Sequence, residues 1–466
     1  MLTYPMDARG DLPLYEYLYR RIRQDILDGT LLSGERLPSK RALAEHLHVS
    51  VITVESAYSQ LEAEGYLYTL PKRGFFVCPV ERSPEAPATA AHIPTESTSP
   101  AWRLDLGRNQ TDGNRFPVAA WARLTRQVLS ENTFLAPTAH QGLYALRKAL
   151  ANDLRDYKGM AISPEQIVVG AGAEYLYLLL AQLLGPQSVF AVEDPGYPKI
   201  RQVYQKCGAV CLPVPLDQQG MDVEALHTAG ANVIHISPAH HYPTGLVTSI
   251  GRRQALLRWA EDHDGTIIED DYDSELRFSG RPIPTLQSID RSERVVYINT
   301  FSQTISPAMR IGFMVLPPRL LERYRQELDF YACTVPALEQ HVLARFLEGG
   351  YYEQHLSRMR KEYRLRRAAV LEAFRSSPFA HRISIQEQSA GLHFLLRLDT
   401  EESDNSLRSR AAERGIRLGF LTEYSAVPRP EQSHTLVVNY ASLTPERLDE
   451  AMTLLAELFL DGTTEV

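Results

Sequence analysis

Apolar residues near the start of the chain recur at four-residue steps. Leu14, Leu18, Ile22 and Ile26 form one stripe within residues 13–28, which predicts an amphipathic helix closed by Gly29. In "LPSKRALAEHL", Ser39 stands as an N-cap ahead of Leu43 and Leu47, and Ser50 caps a third helix whose inward stripe is Val54, Ala57, Tyr58 and Leu61, ending at Gly65. "YLYTLPKRGFFV" then alternates about a Pro-Lys-Arg-Gly turn, the pattern of a hairpin.

The pattern changes twice downstream. Residues 78–102, "CPVERSPEAPATAAHIPTESTSPAW", are rich in Pro, Ala, Ser and Thr with few large apolar side chains, so they predict a linker. From residue 103 onward, near-continuous apolar runs ("QIVVGAG", "SVFAVED", "NVIHISPAH", "GTIIEDDY", "RVVYINTF", "GFMVLP") mostly alternate with helix-length segments. Runs of this kind belong to strands buried on both faces, so the fold class is an α/β large domain, a mostly parallel sheet covered by helices on both faces, preceded by a small winged helix-turn-helix domain. The division expected is a first domain at 1–78, the linker at 79–102 and a large domain at 103–466.

Composition narrows the class. With 466 residues, 44% hydrophobic and 23% charged, the chain is of ordinary globular make-up. The net charge of -8 disfavours polyanion binding by the whole chain but leaves room for a local basic surface. The sequence contains no apolar run of the roughly 18 residues a membrane span needs, so a cytoplasmic protein without a membrane partner is expected. Four scattered cysteines do not make a disulfide framework. Cys207 and Cys211 lack further ligands at finger-like spacing, and no metal is expected.

In the first domain, the helix beginning at Ser50 is the one placed to enter a DNA major groove, with Ser50, Val51, Ile52, Thr53 and Glu55 exposed at its start. Lys40 and Arg41 are placed for phosphates, and Lys72 and Arg73 at the hairpin tip for the backbone or minor groove. A helical protein-interaction module is the blander alternative. "LPSKRALAEHLHVSVITVESAYSQLEAEGYL" resembles the GntR-type winged helix. Many of its members carry arginine directly after the turn serine; Val51 stands there, so apolar contact with thymine methyls is expected in its place.

In the second domain, strand ends collect the polar residues. Ala171, Gly172 and Ala173 precede a long apolar helix and offer backbone amides to a phosphate. Tyr197 is able to stack on a pyridine ring, Asp270 to hold a pyridine nitrogen protonated, and Tyr272 to bond a ring hydroxyl. Thr300, Ser302 and Arg310 offer hydroxyls and a guanidinium to a phosphate. Taken singly, each has a plainer reading: packing for the Gly-Ala-Gly turn, a solvated loop or cation site for "EDDYDSE", turn polarity for His240 and His241. Together they resemble the fold type I aminotransferases, which bind pyridoxal phosphate (PLP). With the winged helix in front, the whole chain resembles the MocR/GabR family of transcription regulators. "SPAHHYPTG" is similar to a family segment that implies His240 and Tyr242 at the cofactor, with His241 where glutamine is frequent.

Two departures bear on mechanism. The family normally has lysine after threonine-phenylalanine-serine as the cofactor's covalent attachment point. Here Gln303 occupies that place, and an amide nitrogen is not nucleophilic. In "TLVVNYASL", Val437 stands where members that bind amino acids often place a carboxylate-clamping arginine; Lys199 is a nearby cation and an alternative attachment lysine. The expectation is a homodimeric regulator binding double-stranded operator DNA, whose large domain senses PLP, non-covalently if at all, or another small anionic metabolite. Aminotransferase turnover is expected to be absent or vestigial. An amino-acid aminotransferase and a purely structural protein are the competing readings.

Overall fold

The computed structural model describes residues 2–80, 102–109, 111–112, 115–278, 283–386 and 390–460. The chain divides into two compact units, Met1–Ser99 and Pro100–Val466. Most of the stretch expected as a linker, 81–101, lies outside the described residues.

In the first unit, helices Leu14–Leu27, Lys40–Leu47 and Val51–Ala63 precede a hairpin of Leu67–Leu70 and Gly74–Val77, in register from Leu67↔Val77 to Leu70↔Gly74. Ser39 Oγ accepts from Ala42 N (3.2 Å) and Ser50 Oγ from Thr53 N (3.1 Å), so both caps form. Between these helices His48 takes the left-handed conformation (φ 54°) that lets the turn be short. Leu18, Ile22, Leu43, Val54, Tyr58 and Leu61 close the core. Burying each such leucine contributes about 1.5–3 kcal/mol. Tyr58 also donates its hydroxyl to Pro38 O (3.0 Å), fixing the third helix against the start of the second. The pattern gave no sign of the N-terminal addition, a short 3-10 turn at Met6–Arg9 with Tyr4 buried beside it.

The second unit is built on an eight-stranded sheet in the order Ile167–Gly170, Gly312–Val315, Val295–Thr300, Thr266–Asp270, Val233–Ile236, Val189–Asp194, Val210–Asp217, Gly220–Met221. The five strands from Val295–Thr300 to Val210–Asp217 run parallel; Gly312–Val315 is antiparallel to both neighbours, and Gly220–Met221 to its one. Alternation sends Val169, Tyr297 and Phe313 to one face, under helices Tyr144–Lys158 and Ala337–Glu348. Val168, Ile298 and Met314 go to the other, under Ala173–Leu184 and Pro198–Lys206. A smaller antiparallel sheet, Ile383–Gln386, His393–Leu398 and Thr435–Asn439, packs with helices Tyr351–Arg375 and Pro445–Leu460 around its own core. No helix among the described residues is long and apolar enough to cross a membrane.

Candidate functional site

The carboxyl ends of the parallel strands open onto a cavity of about 200 Å³. Nine of the twelve residues expected at a cofactor line it: Ala173, Tyr197, Tyr242, Asp270, Tyr272, Thr300, Ser302, Gln303 and Arg310, with Lys199 beside them.

Asp270 ends the strand Thr266–Asp270 and is buried. Its Oδ2 accepts the Tyr177 hydroxyl and lies 3.4 Å from His235 Nε2, while Tyr204 OH lies 2.8 Å from His235 Nδ1. The tautomer protonated at Nε2 satisfies this chain, with Tyr204 donating to Nδ1 and His235 donating to Asp270. The other carboxylate oxygen, Oδ1, is buried without a partner among the described residues. The rest of the acidic run is not a solvated loop: Asp271 pairs with Lys158 Nζ (2.9 Å) and Asp273 with His240 Nδ1 (2.9 Å), all buried.

His240 is a buried supporting residue and not part of the lining: its Nδ1, bonded to Asp273, also lies 3.2 Å from the Tyr272 hydroxyl. Tyr242 shares a hydroxyl–hydroxyl bond with Tyr424 (2.8 Å). Behind it, Val437 is buried in an apolar cluster with Leu395 and Leu421 and does not reach the cavity. Burial also holds Glu193 and His241 neutral near pH 7, pushing the carboxyl up to about 8 and the imidazole down to about 3. Glu193 Oε2 and His241 Nε2 stand 3.5 Å apart, and burial opposes the charges that an ion pair between them would need.

The expected phosphate cradle differs in detail. Ala171 N already donates to Thr334 Oγ1 (3.0 Å) and Gly172 N to Gly170 O (2.8 Å), so of the three expected amides that of Ala173, at the helix start, is the one left without such a partner among the described residues. Gly172 is required for the approach of Arg310: at φ +90° a Cβ would stand 2.7 Å from Arg310 Nη2. Arg310 is itself held by Glu174, whose Oε2 lies 2.5 Å from Nη2, and Lys199 Nζ lies 3.1 Å from Glu174 Oε1. Burial, which opposes ionisation of Glu174, is outweighed by hydrogen bonds from Arg310, its own amide and Lys199, and the carboxyl falls to about 2. Lys199, held up chiefly by Tyr197 and then by Glu174, is a protonated surface cation and a poor nucleophile. Gln303 donates Nε2 to Asn109 O (3.0 Å), while its Oε1 is buried without a donor among the described residues.

Tyr177, Glu174, His235, Asn109 and Tyr424 are among the lining residues that the sequence reading passed over. Two carried a signal. His235 is the lone polar residue in the strand "VIHI", and Tyr177 lies one turn beyond Ala173 on the same helix face. Among the described residues no group of three or more His, Cys, Asp or Glu is arranged to hold a metal ion, and all four cysteines are free.

On the winged helix, Val51 and Ile52 project from the first turn of Val51–Ala63 with 43% and 73% of their surface exposed, and Arg41, Lys72 and Arg73 are exposed as well. Lys72 takes φ 62° at the hairpin tip. Two of the expected residues also have local partners. Lys40 Nζ is 2.6 Å from Glu55 Oε1 and 5.4 Å above the Phe75 ring, so its charge is already partnered. Ser50 Oγ caps its own helix and lies 2.8 Å from Thr53 Oγ1, which commits both hydroxyls locally.

Residues 14–77 match the model of bacterial regulatory proteins of the gntR family, and residues 102–455 that of class I and II aminotransferases. The probable rhizopine catabolism regulatory protein MocR of Rhizobium meliloti is 31% identical over 98% of this chain and 95% of its own. The chain belongs to the MocR/GabR family of transcription regulators. Within this family the pyridoxine biosynthesis regulator PdxR of Corynebacterium glutamicum is 34% identical over 87% of this chain and 88% of its own. Among solved structures, Pyrococcus horikoshii kynurenine aminotransferase, in complex with PMP, kynurenine as substrate and its product, aligns with a TM-score of 0.68 at 25% identity, covering 78% of this chain and 92% of that one. The fold type I aminotransferase architecture is thus shared by a family whose members are named as regulators.

Proposed function

We propose that this MocR/GabR-family protein binds operator DNA through its winged helix and uses its aminotransferase-like domain to sense a pyridoxal-phosphate-type ligand, held reversibly and without turnover. The observation that carries this reading is the Asp270 carboxylate: one oxygen is saturated by Tyr177 and His235, and the other is buried and unpartnered. A buried acceptor without a donor is costly, and a protonated pyridine nitrogen is a donor of the right charge.

The remaining lining fits the same ligand class. Tyr197 offers a ring face, Tyr272 a hydroxyl backed by His240, and Thr300, Ser302 and Arg310 polar groups for a phosphate. PLP supplies, when bound, an electron-withdrawing ring. Turnover also needs an amine to attach the ligand and move a proton, and here Gln303 has no basic nitrogen while Lys199 is protonated and paired with Glu174. PdxR is named for pyridoxine biosynthesis and the kynurenine aminotransferase structure holds PMP, which supports the ligand class. Regulation requires only that the ligand bind two states of the protein unequally. A homodimer would present two reading helices to paired half-sites.

The test is absorbance titration with pyridoxal phosphate, followed by borohydride reduction, mass measurement and peptide mapping. Reversible binding without a stoichiometric adduct is expected. A single adduct mapped to Lys199 would overturn the non-covalent reading and reopen the enzyme.

A further inference from the structure

We propose that Gln303 makes the pocket selective for the aminomethyl form of the ligand, pyridoxamine phosphate, over the aldehyde. The inference rests on the reading that the cavity takes a pyridine phosphate with its reactive carbon beside residue 303.

The amide of Gln303 has only one orientation compatible with its surroundings. Its partner is the Asn109 carbonyl oxygen, 3.0 Å away, and a carbonyl only accepts, so the NH₂ group must face it. This leaves Oε1 as the free end, and that oxygen is buried without a donor. Gln303 lines the cavity, and the hydrogen-bonding capacity its amide has left, among the described residues, is an acceptor.

The two forms of the ligand differ in what they can return. An aldehyde oxygen is an acceptor only, so binding it sets two acceptors against each other in a place shielded from water. A protonated aminomethyl group carries three N–H donors and a positive charge, and one of them satisfies Oε1. The lining carries charge of both signs, Asp270 and Glu174 against Arg310, Lys199 and Arg201, and Gln303 adds none of its own, so the choice rests on that hydrogen bond. Lysine at this position would reverse the choice, because its amine attaches an aldehyde and repels an ammonium. Gln303 thus converts a site for the aldehyde into a reader of the amine-loaded form.

The experiment is calorimetric titration of the full chain with pyridoxamine phosphate and, separately, pyridoxal phosphate, at one pH and ionic strength. The expected result is tighter binding of the amine form by about tenfold, the scale of one charge-assisted hydrogen bond. Gln303→Leu should bring the two affinities to within about twofold of each other by weakening the amine form, and Gln303→Met serves as a second apolar replacement should the first fail to fold. Gln303→Lys should invert the order and give an aldehyde adduct at residue 303 after reduction. Equal affinities in the unaltered protein, or a preference that survives both apolar replacements, overturns the inference while the pocket reading stands. Failure of both ligands to bind overturns the pocket reading itself.

Discussion

Glu174 and Arg310 form an ion pair at the cavity mouth, 2.5 Å from Oε2 to Nη2, at the place where a ligand phosphate would seek the same guanidinium. The second Glu174 oxygen engages Lys199. One carboxylate therefore occupies both Arg310 and Lys199, and phosphate must compete with it.

Glu174→Gln should accordingly strengthen binding of phosphate-bearing ligands. A half-exposed pair of this kind is worth about 0.2–1 kcal/mol, so the gain should be about 1.4- to fivefold. The affinity should also become more sensitive to salt, because Arg310 and Lys199 would then meet the phosphate without an internal counter-ion. Calorimetry with pyridoxamine phosphate at two ionic strengths measures both effects; unchanged affinity would place the phosphate elsewhere.

Asp270→Asn tests the ring end. Tyr177 can still donate to the asparagine carbonyl, so the fold should persist. The atom presented to the ligand becomes an NH₂ donor, which refuses a protonated pyridine. Loss of that charge-assisted bond should weaken binding by about 1.5–3 kcal/mol. Titration read by ligand absorbance should show it, while far-UV dichroism stays unchanged.

On DNA, Lys72→Ala and Arg73→Ala should each weaken binding to every duplex alike and reduce the salt slope by about one. Ile52→Ala should behave differently. Its exposed side chain carries no charge, so its loss should weaken sites that present a thymine methyl and leave the salt slope intact. Fluorescence anisotropy against an operator series and a scrambled duplex separates the two behaviours. A uniform loss with Ile52→Ala would remove it from base reading.

Much of this was legible because parallel strands buried on both faces read as unbroken apolar runs, and a polar residue at the end of such a run has few places to go. Asp270 after "TIIE" and Thr300 after "VVYIN" are of this kind. So are the caps Ser39 and Ser50, whose signal lies within four residues. The contacts that correct the reading join distant positions. Thr334 takes the Ala171 amide across 163 residues, and Asn109 takes the Gln303 amide across 194. Glu55 neutralises Lys40 from the adjoining helix, and Tyr177 meets Asp270 only once its helix docks on the sheet. Periodicity identifies which face of an element is buried but not which residue of another element it will meet.

Stability should peak on the mildly acidic side of neutrality, for opposed reasons. Burial raises Glu193 from 4.5 to about 8 and Glu269 from 4.5 to about 7. Because the native state keeps these protons while the unfolded chain releases them, their contribution is complete below pH 4.5 and is lost as pH rises toward 7 and 8. Burial lowers His241 from 6.5 to about 3, so its contribution is present above pH 6.5 and is lost as pH falls. On the alkaline limb each buried glutamate should cost at most about 1.4 kcal/mol per pH unit. Glu193→Gln should remove one of these slopes. Its carbonyl can keep the Ser237 amide now bound at 2.9 Å. Urea midpoints at pH 5, 6, 7 and 8 should therefore fall less steeply in this variant and be higher than the parent's at pH 8. A lower midpoint at pH 8 would mean that Glu193 is ionised in the folded protein and that its contact with His241 is a true ion pair.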